Sequence, residues 1–96
     1  VSSEAVNIRI LDREYTIGVV PEERDGLIAA ARMLDAKMRE VRGNNRMAAV
    51  DRIAVLAALN LAHELQQLRQ EQEARDHEIS HVMRELHNKL DALGAE

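Results

Sequence analysis

HEISH, residues 77–81, is a stretch where side-chain types and spacing match a known chemistry. A His-Glu-x-x-His run on a helix places two imidazoles one turn apart on the same face. There they can hold zinc, with the glutamate as general base. His87 also falls where the extended form of that motif places its third histidine. The extended motif needs a glycine three residues after the second histidine so that the chain can turn. Arg84 stands there instead, and Leu86, Leu90 and Leu93 continue the helical pattern beyond it. On an unbroken helix His87 points about 120° away from His81, at 100° per residue. His77 and His81 lie off the apolar seam of their segment, toward solvent. They are read as a surface pair able to take up added zinc or nickel, with no catalytic metal site and no cofactor.

The second constellation is electrostatic. Lys37, Arg39, Arg42 and Arg46 fall within ten residues, opposed by Glu40 alone. One reading is a solvated helix end, where cations favour the dipole. The other is a docking patch for an acidic protein surface, which would steer encounter and be salt-sensitive. Arg13 joins the patch if a hairpin tip folds near that helix end. Phosphate contact is a further use of the same cations, and a dimeric coiled-coil nucleic-acid-binding or adaptor protein is the alternative function. A net charge of −4 and the lack of an evident recognition helix weigh against it. No phosphate loop and no serine–histidine–acid arrangement is present, and the absence of cysteine removes thiolate chemistry and disulfides.

The elements that must position these side chains can be read from periodicity. VNIRILDREYTIGVV alternates, so Val6, Ile8 and Ile10 share one strand face and Tyr15, Ile17 and Val19 share the next. A turn centred on Asp12 and Arg13 would pair residue 10 with 15, 8 with 17 and 6 with 19. The hairpin spans about residues 5–20. A lone hairpin is marginal in water, so its apolar face needs a cover. The segment at about 21–42 supplies one. Pro21 suits a first helical position, and Leu27, Ala30, Ala31, Leu34, Met38 and Val41 recur at helical spacing. Arg42 followed by Gly43 ends that helix, and residues 43–50 form a loop.

From Asp51, a good N-cap, no proline or glycine appears until Gly94. Residues 51–94 are therefore one helix of roughly 64 Å at 1.5 Å per residue. A compact domain of about 100 residues has a radius of gyration near 13 Å. The proximal part completes the head, formed otherwise by residues 1–50, and the remainder must project as a stalk. DRIAVLAALNLAHELQQLR, residues 51–69, is apolar on nearly every side for three turns, so one face packs on the head and another meets a second copy. Ala54, Ala58, Leu61, Leu65 and Leu68 are assigned to that dimer face. Steps of four and three from Leu61 reach Leu65, Leu68, Gln72, Arg75, Ile79, Val82, Leu86, Lys89 and Leu93, a coiled-coil seam with a polar middle. Distally the stripe widens: Ile79, Val82, Met83, Leu86, Leu90 and Leu93 suit four helices better than two, and are assigned to a tetramer interface. Asn60 interrupts the apolar run, and a buried amide there would fix packing between the helix and a hairpin. With one tyrosine, no phenylalanine and no tryptophan, the palette favours helix packing. The fold class is α+β, and the chain reads as soluble and cytoplasmic, with no membrane partner.

REYTI in the hairpin, LDAKMREVR at the first helix end and RIAVLAALNLAHEL opening the second resemble the ZapA family of bacterial cell-division proteins. The likeness covers roughly residues 5–68. It implies a small α/β head and a long helix, dimerisation, and two dimers joined through antiparallel stalks. It further implies non-enzymatic binding to polymerised FtsZ at the mid-cell division ring, bundling of protofilaments and lowered GTPase turnover. The family binds through charged head residues, carried over here to Arg13, Arg42 and Arg46. It often has glycine in the hairpin turn, where this chain has Asp12.

Overall fold

A computed structural model describes residues 3–94. Strand β1 (Glu4–Ile10) pairs antiparallel with β2 (Arg13–Val19). A 3-10 turn at Pro21–Glu23 leads into α1 (Arg24–Arg42), and α2 runs from Val50 to Gly94. The chain is α+β, a two-stranded hairpin followed by helices, as periodicity predicted. Among the described residues no helix is long and apolar enough to cross a membrane.

The hairpin register departs from the expected one by two residues. Ile10 faces Arg13, Ile8 faces Tyr15, and Val6 faces Ile17. The turn is made by Leu11 and Asp12, with φ of 47° and 65°. Two successive positive φ values mark the two-residue loop whose twist matches that of paired strands. Asp tolerates this region better than Leu, for which it costs roughly 1–2 kcal/mol. Burial offsets that cost: Leu11 is only 7% exposed, and enclosing a leucine is worth about 1.5–3 kcal/mol. A turn one residue further on, at Asp12 and Arg13, would have left Leu11 in the strand, on the face opposite Ile10. Strand side chains repeat every two residues, so the shift leaves every facing unchanged.

Two contact clusters form the core, both within the compact unit that ends at Leu61. Val6, Ile8 and Ala31 make the first, with Leu27 and Ile28 packed on it. Leu11, Met38, Ile53 and Ala57 make the second, flanked by Leu34, Val41, Val50 and Ala54. The α1 stripe thus packs as spaced, except that Ala30 is exposed and Ile28 joins in its place. Ala57 is fully enclosed, so only a small side chain fits there.

Helix ends are set locally. Gly43, at φ 53°, closes α1 with its N–H on the Arg39 carbonyl at 3.1 Å. Asn45 accepts the Met47 N–H through its side chain at 3.2 Å, shaping the loop. The first residue of α2 is Val50, and Ile53 N–H reaches the Ala49 carbonyl at 3.1 Å. Asp51, expected as the cap, therefore lies inside the first turn, where its charge still favours the dipole. Asn60, expected to be buried, is exposed.

Candidate protein-docking site

The hairpin tip is bolted to α1 by a small polar assembly. Asp35 Oδ1 accepts the Leu11 backbone N–H at 2.8 Å. Arg39 Nε donates to Asp35 Oδ2 at 3.0 Å, and Arg39 Nη2 donates to Asp12 Oδ1 at 3.0 Å. Asp35 and Arg39 are four residues apart, so they share a helix face. The Leu11 N–H, followed by the Arg39 hydrogen bond, holds the Asp35 carboxyl below the usual carboxylate range. Hydrogen bonds from Asp35 and then Asp12 strengthen the Arg39 cation in turn.

This assembly decides how the expected cations are arranged. Arg13 follows Asp12 directly and is exposed, so the bolted tip brings it to the Arg39 region of α1. Arg42, one turn after Arg39, is half-buried, and its Nε is enclosed without a hydrogen-bond partner among the described residues. Arg46 is exposed in the following loop. Lys37 differs from the others: its side chain is only 14% exposed and its Nζ lies 3.3 Å from Glu40. Arg39 already meets two carboxylates, which makes it first of all a structural cation. Periodicity did not find this clamp. The available signal was an acid, Asp35, between Leu34 and Met38 on the inward side of α1.

Of the residues assigned to a dimer face, Ala54 and Leu61 are half-buried, Ala58 is exposed, and Leu65 and Leu68 are 48% and 62% exposed. Ala54 also rests on the chain's own core. Additional apolar surface comes from Val55, Leu56 and Leu59 on α2 and from Tyr15 and Ile17 on β2, all exposed. Tyr15 and Ile17 border a shallow apolar groove with Ile8, Ile10, Leu34 and Val50.

The described residues of the second unit, 62–94, are all helix. Ile79, Val82, Met83, Leu86, Leu90 and Leu93 are all exposed, at 49–73%. His81 Nε2 lies 3.4 Å from Glu85 and His87 Nε2 lies 3.3 Å from Asp91, each one turn on. The helix continues unbroken through Arg84, and no group of three or more potential metal ligands gathers among the described residues.

A hairpin-and-helix head with a basic end, continued by a long helix whose apolar row is uncovered, defines a small α+β protein with surfaces suited to other proteins. The family described as Cell division protein ZapA matches this sequence over residues 6–96. The chain belongs to the ZapA family of cell-division proteins. A ZapA of Pseudomonas aeruginosa PAO1 is 38% identical over 89 residues, covering 93% of this chain and 86% of that protein. A ZapA of Yersinia enterocolitica is 32% identical over 68 residues, 71% of this chain, and the match spans 62% of that relative. Among solved structures, one described as an unknown conserved bacterial protein from P. aeruginosa PAO1 superposes with a TM-score of 0.73 at 38% identity. It covers 93% of this chain and 98% of that one. A ZapA mutant dimer from Geobacillus stearothermophilus gives a TM-score of 0.61 at 28% identity, with 82% and 91% covered.

Proposed function

We propose that this chain is a non-enzymatic division regulator that binds polymerised FtsZ and cross-links its protofilaments in the cytoplasm, at the mid-cell ring. The observation that carries this reading is the pairing of a basic head end with an apolar helix row that the chain itself leaves bare. Arg13, Arg42 and Arg46 form the FtsZ-facing surface, with Lys37 at its margin and Arg39 holding it together. Ala54, Ala58, Leu61, Leu65 and Leu68 meet a second copy. Ile79, Val82, Met83, Leu86, Leu90 and Leu93 join two dimers. Several heads in one assembly give avidity, so weak single contacts suffice to bundle filaments. GTP turnover falls because binding favours polymer over free subunit.

The test is Arg42→Glu combined with Arg46→Glu. Helicity and molar mass should be unchanged, while co-pelleting with assembled FtsZ drops and wild-type binding weakens as salt rises. Normal pelleting and bundling by the doubly reversed variant would place the docking surface elsewhere.

A further inference from the structure

The hairpin tip has little else to hold it. The contact of α1 with the sheet is chiefly through β1, and Tyr15 and Ile17 on β2 are exposed. The turn itself is made of two residues at positive φ without a glycine. A two-stranded hairpin in that state wanders in water unless something secures it. Two things do: Leu11 sits in the core beside Met38, Ile53 and Ala57, and the Asp35–Arg39 pair ties down both turn residues. Both Asp35 oxygens and two of the three Arg39 nitrogens are used.

The charge within this assembly matters as much as its geometry. One guanidinium stands against two carboxylates, Asp12 and Asp35, so the clamp is net negative and adds no attraction for an acidic partner. We propose that Asp35 and Arg39 are positioning residues that lock the Leu11–Asp12 tip to α1, so that Arg13 is presented with Arg42 and Arg46 as one docking surface. The inference rests on the proposed FtsZ-binding role and assigns Arg39 a task within it other than direct contact.

The two roles give opposite signs on removing a negative charge. Asp35→Asn makes the head more positive by one unit. If the patch acts through charge alone, this variant binds assembled FtsZ more tightly than wild type. If Asp35 positions the tip, it binds less tightly despite the gain. Arg39→Lys supplies the second variant: it keeps the charge but cannot bridge both carboxylates with a planar fork.

Each full-length variant is compared with wild type by co-pelleting with assembled FtsZ, light scattering, and amide hydrogen exchange at Leu11. The expected result is unchanged molar mass and helicity, Leu11 exchange faster by about tenfold or more on loss of a charge-assisted bond, and weaker pelleting by both variants. Equal or tighter pelleting by Asp35→Asn overturns the positioning role. Unchanged Leu11 exchange in both variants overturns the lock itself. Should Asp35→Asn fail to fold, Arg39→Lys decides by the same two readouts. Wild type and the Arg42→Glu, Arg46→Glu variant run alongside: no pelleting of wild type, or full pelleting of the reversed variant, would sink the FtsZ-docking role and the presentation claim built on it. Leu11 exchange would still decide the lock by itself.

Discussion

Residues up to Leu61 and residues from Ala62 onward solve the same problem differently. The first unit hides Val6, Ile8, Leu11, Ala31, Met38, Ile53 and Ala57 within one chain. The second hides nothing: every described residue from Ala62 to Gly94 is exposed, six large apolar side chains of the distal row included. Both units share the helix α2, so the difference is not one of secondary structure. It lies in what stands opposite. Ile53 and Ala57 pack with Leu11 of the hairpin tip and Met38 of α1, whereas the distal row is exposed. Helical stability in proteins comes mainly from packing of an apolar face, and the described distal residues have no packing of the kind that the head core has.

The comparison breaks most visibly at the join between the two units. Leu61→Glu or Leu65→Glu should place an unpaired charge in the proposed dimer seam, at a cost of several kcal/mol. Sedimentation should then show loss of the dimer together with loss of helical signal. A folded, helical monomer for either variant would mean that the first unit is self-sufficient.

A matched pair of truncations sharpens the contrast. Ile53→Ala removes a core side chain that is 2% exposed, and such changes cost about 2–5 kcal/mol. Ile79→Ala removes the same atoms from a side chain 55% exposed in the chain alone. The first should lower the denaturation midpoint of the head, and the second should alter only the concentration dependence of assembly. Equal loss of head stability from both would erase the distinction.

Charge in the distal row is expected to act on assembly alone. Burying a valine or leucine is worth about 1.5–3 kcal/mol, so Val82→Glu or Leu86→Glu should turn tetramers into dimers with the head still folded. Light scattering gives the molar mass, and electron microscopy of FtsZ polymers should show poor bundling. A wild type that stays dimeric at high concentration would remove the distal joint.

The smallest expected effect lies in α1. A Cβ at Gly26 meets nothing within 4 Å, so Gly26→Ala should raise stability by roughly 0.5–1 kcal/mol through helix propensity. Thermal denaturation reads this as a shift of several degrees, with assembly unchanged.

What sequence alone determined about this protein is what short-range periodicity encodes. Alternation gave the facing of Val6, Ile8, Tyr15 and Ile17, and spacing gave the inward stripe of α1 and the apolar row from Ile79 to Leu93. Gly43 marked a helix end because an available backbone conformation is a local property. Tertiary structure alone decided the rest. A two-residue slip leaves all facings intact, so alternation could not tell a turn at Leu11–Asp12 from one at Asp12–Arg13, and burial of Leu11 against Met38 and Ile53 made the choice. Nor could spacing show that Arg39 is engaged, because its partner Asp12 lies 27 residues away, and Asp35 meets Leu11 across 24. Whether a cation is free to meet a partner depends on which carboxylates the fold brings within about 3 Å of it, and that is settled only when distant segments pack.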